Sequence, residues 1–310
     1  MLNMKKWLWF AALLISAAGC TPSDPKEVLK RVDDRIYYPE QSGLKSLSCR
    51  VSSPYIGEMF SRLAQQVPGS REMLDALKVE TYFYWRAGYG SKFVIAGIPD
   101  SLPDLRNSVS EVFQGTEILI MPSTEQEQFS SFNLSLQKEN GKLTVVGKNP
   151  DPQSDFVQYD LMVKPRSWLI TGRKFYSKGS VSDSRPYFEV WKGKCCMTRI
   201  ETVHEEGSEA SFRSLVEMEY QEAGGYRLLK KMTYTYTKLS TGDKMIGPVE
   251  LDFSDYKINQ GINIDLFKGG KIMFLNPEPS PQAAPGPQTP EKRAPYSPSR
   301  GAPSKSPVAK

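Results

Sequence analysis

The stretch FRSLVEMEYQEAGGYRLLKKMTYTYTK, residues 212–238, decides the fold class. Phe212, Val216 and Met218 fall in one phase of a two-residue alternation, and Arg213, Glu217 and Glu219 fall in the other. Successive side chains of a strand point to opposite faces, so this pattern builds one apolar and one polar face. Ala223-Gly224-Gly225 interrupts it, and Tyr226–Lys238 resumes with threonines and aromatics. Two such runs about a glycine turn predict an antiparallel hairpin.

The same grammar extends in both directions. Downstream, Val249, Leu251 and Phe253 oppose Glu250, Asp252 and Ser254 in a last long strand over 248–258. Upstream, 186–191 and 195–203 flank the turn Lys192-Gly193-Lys194. Residues 156–163 alternate Val157, Tyr159, Leu161 and Val163 against Gln158, Asp160 and Met162, and 168–177 follows. Glu139-Asn140-Gly141 between 133–138 and 142–148 is a strong hairpin signal. Residues 78–86 and 92–98 pair about Gly88-Tyr89-Gly90-Ser91. Helices are few. Asp24-Pro25-Lys26-Glu27 opens one, with Val28, Leu29, Val32 and Ile36 at helical spacing. Residues 55–67 place Ile56, Met59, Phe60 and Leu63 on one face, and 103–113 places Leu105, Val109, Val112 and Phe113 inward. The class is therefore mainly antiparallel β (α+β). A meander of about ten strands must curl to cover its apolar face, giving an incompletely closed up-and-down barrel with short helices as plug or lid.

Composition sets the limits. The 310 residues are 39% hydrophobic and 24% charged, enough to bury a core. The mean hydropathy of -0.45 is too polar for a multi-span membrane protein. The formal net charge of +5 comes from the ends: Lys5 and Lys6 in front, and Lys292, Arg293, Arg300, Lys305 and Lys310 against Glu278 and Glu291 behind. The body is close to neutral, which argues against a nucleic-acid partner, since such binders carry a basic stripe on the fold. One histidine excludes most multi-histidine metal sites, and no metal or cofactor is expected.

The ends have their own chemistry. Residues 1–19 read as an export signal: a positive start, the apolar run WLWFAALLI, then Ser16-Ala17-Ala18-Gly19. The run is too short to span a bilayer of roughly 30 Å. Cys20 after Ala18-Gly19 resembles the lipobox of bacterial lipoproteins, which implies acylation of Cys20 and a lipid anchor in the membrane. Thr21 in place of aspartate resembles lipoproteins sent to the outer membrane, on its periplasmic face. Residues 276–310 are proline-rich and nearly free of large apolar side chains, so they are expected to be a disordered tail, either a plain solvated end or an arm toward a cell-wall or envelope partner. Between lies one domain, 20–275. Export implies an oxidising compartment. Cys49 is then free to bridge Cys195 or Cys196, the alternative being three small buried hydrophobes.

With these elements in place, the layout resembles the LolA/LolB lipoprotein-carrier and lipoprotein-receptor family, the outer-membrane lipoprotein-sorting-like group. A capped helix, 24–36, follows the mature start and leads into LKSLSCRV, 44–51. A meander over 156–238 follows, and VELDFSDYKIN, 249–259, closes shortly before Ile262–Phe267. The resemblance covers about 24–275; the proline-rich tail and an irregular stretch over 97–132 depart from it. It implies an unclosed barrel whose apolar interior accepts acyl chains or the acylated end of a lipoprotein. The lipobox points to an anchored, receptor-like member. An apolar concave face that helices cover incompletely is in any case a site for a hydrophobic ligand. Candidate lining residues are Phe83, Trp85, Phe93, Tyr159, Trp168, Phe188, Met218, Met232 and Tyr234; the plainer alternative is that they are ordinary core.

Catalytic signals are sparse, and no enzyme is expected. His204 between a strand and Glu206-Gly207-Ser208 reads as an exposed loop residue. No G-x-S-x-G elbow occurs, and Gly88-Tyr89-Gly90 lacks the helix of a dinucleotide loop. Asp33-Asp34 and Asp252 with Asp255 read as solvated carboxylates. The expected function is non-catalytic acyl-chain binding in lipid or lipoprotein trafficking or envelope maintenance. The alternative is a structural lipoprotein that acts through its tail or an exposed strand edge.

Overall fold

The structure, a computed structural model, describes residues 22–67, 69–206 and 210–275. The expected signal peptide, the Cys20 lipidation site and the tail over 276–310 lie outside the described residues.

Thirteen strands form one sheet in the order β13-β3-β2-β1-β12-β11-β10-β9-β8-β7-β6-β5-β4. The strands are β1 (Ser46–Ser52), β2 (Glu80–Arg86), β3 (Gly90–Ala96), β4 (Asn133–Glu139), β5 (Lys142–Lys148), β6 (Phe156–Lys164), β7 (Leu169–Ser177), β8 (Ser180–Trp191), β9 (Lys194–Glu205), β10 (Phe212–Ala223), β11 (Tyr226–Lys238), β12 (Lys244–Ile258) and β13 (Ile272–Leu275). From β4 to β12 each strand pairs antiparallel with the next, and β12 then closes on β1. The two outer strands, β4 and β13, do not meet, so the barrel stays open. The hairpin at 212–238 forms as its alternation requires, with Met218 opposite Met232 and Val216 opposite Tyr234.

Among the described residues six α-helices pack on one face: α1 (Pro25–Arg35), α2 (Pro54–Gln66), α3 (Arg71–Ala76), α4 (Pro103–Phe113), α5 (Glu117–Ile120) and α6 (Glu125–Gln128). Asp24 caps α1 by accepting from the Lys26 amide at 2.9 Å, and Pro25 takes the first turn, where its missing N–H costs nothing. Two expectations need correction. The stretch over 97–132 is not irregular throughout: it holds α4, α5 and α6. The sheet is not purely up-and-down, because β13 returns parallel to β3, pairing Ile272 with Phe93. The link from β12 runs along one end of the sheet through the 3₁₀ turn Ile264–Phe267, past β1 and β2, and enters β13 beside the start of β3.

The helices form two groups over two separate cores. Helices α2 to α5 cover β1–β3 and β10–β12, where Phe93 lies between Phe83 and Phe113 with ring centroids 5.1 and 5.0 Å away. Helix α1 covers β5–β7 through Val28, Leu29 and Val32. There Tyr159 is stacked between Phe129 and Phe175 at 4.4 and 4.5 Å. Gly147 makes that stack possible: a Cβ there would stand 2.7 Å from the Phe129 ring, closer than real side chains approach. Strands β8 and β9 fall between the two groups, so part of their inner face receives no helix.

The three described cysteines are free and buried. The expected alternative of a bridge from Cys49 to Cys195 or Cys196 is not formed. Cys49 lies on β1 and the pair on β9, four strands away in sheet order. Neighbouring strands are about 4.8 Å apart, and a disulfide needs Cα atoms within roughly 7 Å. Burial pushes the Cys49 thiol up to about 12. Burial, with Cys195 beside it, does the same to Cys196. At pH 8 the thiolate fraction of such a thiol is on the order of one in ten thousand. Iodoacetamide at that pH is therefore expected to leave Cys49 and Cys196 unmodified in the folded chain. All three cysteines should be alkylated once denaturant is added without reductant. Peptide mapping that finds two of the three blocked in denaturant would restore the bridge.

Candidate functional site

Where the two helix groups part, the sheet and helices enclose a cavity of about 360 Å³. Its floor is the inner face of β7 to β11: Phe175, Phe188, Cys196, Ile200, Val216, Tyr220, Leu228 and Leu229. Its roof is the Ile36–Pro39 segment after α1 and the Ile118–Pro122 segment around α5. The size lies in the range of roughly 300–1,000 Å³ typical of small-molecule sites, and the wall is apolar with a few polar groups, as such sites are.

A second cavity of about 410 Å³ adjoins it. It is lined by Tyr55 and Met59 of α2, the Val112–Thr116 segment, and Met232, Tyr234, Tyr236 and Val249 of β11 and β12. Leu119 and Val216 line both cavities, so only these two side chains are common wall. Leu119 is carried on the single turn of α5, between exposed Ile118 and buried Ile120. Tyr234 reaches across from the sheet and donates to the Val112 carbonyl at 2.7 Å, which holds the end of α4 as the far wall.

One part of the first cavity is polar and tightly knit. Glu125, at the start of α6, is 0% exposed and pairs with Arg173 of β7, whose side chain is 15% exposed. Tyr159 donates to the other Glu125 oxygen at 3.1 Å. Asp33 of α1 accepts from the Glu125 and Gln126 amides at 2.8 and 3.1 Å, from the Gln126 side chain at 3.0 Å and from the Tyr38 hydroxyl at 3.0 Å. The expectation that Asp33 is solvated is thus corrected: it is buried and docks the N-terminus of α6 to α1. Asp34 is exposed, as expected. Burial, then the Glu125 carboxylate, raises the Tyr159 hydroxyl well above its ordinary value. Burial alone would lower the Arg173 guanidinium; Glu125 and Tyr159 outweigh it and hold it up. Arg173 therefore stays charged and Tyr159 stays a neutral donor, both committed to Glu125.

A second guanidinium lines the same cavity. Arg227 of β11 is 18% exposed and pairs with Glu189 of β8, which is 48% exposed. Its guanidinium carbon lies 5.1 Å from the Tyr220 ring centroid and 5.9 Å from that of Trp191. Trp191 in turn packs edge-on against Tyr37 at 4.9 Å. Burial lowers Arg227 somewhat from its ordinary value.

The structure sorts the sequence candidates. Phe188 lines the first cavity, and Met232 and Tyr234 line the second. Phe83, Trp85, Phe93 and Met218 are buried in the core beneath α2 to α5. Tyr159 is core beneath α1, and Trp168 is a partly buried neighbour of that core. The Arg31 guanidinium carbon lies 4.8 Å from the Trp168 ring centroid. Sequence reading missed Glu125, Arg173 and Arg227. Arg173 had a signal: it shares the phase of Phe175 on its strand. His204 is not a loop residue but belongs to β9, with its side chain 20% exposed. It stacks on Phe212 at 4.8 Å, and its Nδ1 lies 2.7 Å from the Ser182 hydroxyl. Among the described residues no group of three or more His, Cys, Asp or Glu is placed to hold a metal ion. Among the same residues no helix is long and apolar enough to cross a membrane.

No family model and no curated protein matches the chain. Two solved structures are similar to it. One is a LolA superfamily protein from Nitrosomonas europaea, with 13% identity and a TM-score of 0.34; the match covers 79% of this chain and 97% of that one. The other is described as an outer membrane lipoprotein-sorting protein domain from Vibrio parahaemolyticus, with 10% identity and a TM-score of 0.27, covering 78% of this chain and 95% of that one.

Proposed function

We propose that this chain is a lipid-anchored envelope protein whose open barrel binds acyl chains, receiving, holding or handing over a lipid or an acylated protein without covalent chemistry. The observation that carries this reading is the pair of adjoining cavities between the sheet's inner face and the helices, about 360 and 410 Å³ with only Leu119 and Val216 in common. Apolar wall removed from water by a guest contributes about 25 cal/mol per Å². A flexible chain that follows both cavities gains more than one confined to either. Cys20, within its lipobox, supplies the anchor and places the protein on the periplasmic face of the outer membrane. Transfer then runs down a gradient of affinity, with no energy source in the chain itself.

The test uses the full chain carrying Cys20→Ser, which removes the acylated side chain and leaves the barrel intact. The neutral dye N-phenyl-1-naphthylamine is expected to brighten and saturate at about one or two equivalents, and native mass spectrometry to show co-purifying lipid. No dye uptake together with no bound lipid would overturn the reading.

A further inference from the structure

The two guanidiniums on the first cavity stand at different levels of the sheet. Arg173 is in register with Ser184, which faces Thr202. Arg227 is in register with Glu222, beside the turn that links β8 to β9. Their carboxylate partners differ in exposure, 0% for Glu125 and 48% for Glu189. Arg173 is paired with Glu125, a carboxylate that water does not reach and that is itself a buried part of the wall, so its charge is already answered inside the protein. Around Arg227 the balance is looser. Glu222 is occupied by Lys192 at 2.8 Å and by the Trp191 indole N–H at 3.2 Å. Glu189 alone pairs with Arg227, from a half-exposed position that water also reaches. The Nε of each guanidinium is buried and makes no hydrogen bond, so the two differ in their carboxylate partners and not in this donor. The second cavity is lined by a single charged residue, exposed Glu111.

This arrangement resolves the ligand class, and it rests on the acyl-binding reading above. We infer that the guest is a single amphiphile with an anionic head, a carboxylate or a phosphate, which Arg227 holds between Trp191 and Tyr220 while its alkyl chain lies over Ile200 and Val216 toward the second cavity. A buried guanidinium offers an oxyanion a charge-assisted hydrogen bond, about twice as strong as a neutral one. A neutral head can accept a hydrogen bond from the guanidinium but brings no opposite charge to it and cannot engage it bidentately as an oxyanion does. A buried partner at Arg173 and a half-exposed, displaceable one at Arg227 give the guest one orientation, head toward the β8–β9 turn.

The experiment is displacement of bound N-phenyl-1-naphthylamine from the full Cys20→Ser chain by dodecanoate, dodecyl phosphate and dodecanol. Both anions are expected to displace the dye at concentrations at least about tenfold below dodecanol, and the better of the two identifies the head. Arg227→Met should erase that difference while dye uptake persists, and Arg227→Lys should keep part of it. Glu189→Gln removes the competing carboxylate and should widen the preference a few-fold, a gain that misfolding cannot produce. Equal displacement by all three compounds from a chain that binds the dye overturns the anionic head and leaves the acyl-binding reading standing. A chain that takes up no dye, and gives no response to any of the three, overturns both.

Discussion

Arg173→Met is expected to lower the stability of the domain by about 3–5 kcal/mol, the cost of leaving a buried carboxylate without its partner. The reason is Glu125. It is 0% exposed, its Oε1 faces Arg173, and its only other side-chain partner is the Tyr159 hydroxyl at 3.1 Å. The protein must then protonate Glu125, admit water, or release α6 from α1. Release breaks the Asp33 contacts to the Glu125 and Gln126 amides and uncovers the first cavity from the α6 side. For a domain of 150–250 residues each kcal/mol shifts the melting point by roughly 2–4 °C, so a fall of about 10 °C or more is expected. The double variant Glu125→Gln, Arg173→Met should cost clearly less than the sum of the singles, because no charge is stranded. Denaturant unfolding of the four chains measures this. A single-variant loss below about 1 kcal/mol would mean that the pair behaves as a solvated surface ion pair.

Filling the first cavity should abolish ligand uptake without weakening the fold. Val216 and Ile200 are register partners on β10 and β9, so their side chains stand side by side on the cavity floor. Replacing both with Phe places two rings in a space of about 360 Å³ and thickens the wall that Val216 shares with the second cavity. Dye affinity is expected to fall at least tenfold. Stability is expected to hold or rise by about 0.5–2 kcal/mol, as cavity-filling changes commonly do, helped by the aromatic cross-strand pair. If these positions were already close-packed core, two enlargements would instead cost about 1–3 kcal/mol each. Dye titration and unfolding of the same preparation separate the outcomes. Unchanged affinity at unchanged stability would show that the guest does not occupy this cavity.

Much of the architecture was legible in residue order because its causes are local. The alternation over 212–238 and the Asn140-Gly141 turn each specify a hairpin between strands adjacent in sequence, and both form. Asp24 and Pro25 start α1 where a cap and a first-turn proline should. The misses share a different cause. Helices α5 and α6 are four residues each, too short for a 3.6-residue period to register. Strand β13 is a bare apolar run, Ile-Met-Phe-Leu, whose only partner is β3, far earlier in the chain. His204 was placed by the turn that follows it, yet ladder pairing with Ser182 and Phe212 carries β9 past that point.

The division between wall and core is of a third kind. Met218 and Met232 face each other across one hairpin, with the same residue type in the same phase. Both are buried in the same core, and only Met232 also lines a cavity, a difference set by what packs above each of them. Residue order alone determined the strand rhythm, the hairpins, the main helices and the neutral charge of the body, since each follows from period, turn chemistry and caps within short windows. Only the tertiary structure decided which apolar side chains are left uncovered and which charges meet. Asp33 binds amides 92 residues away, and the space between the two helix groups is set by all of them at once; no local pattern encodes a gap between distant elements.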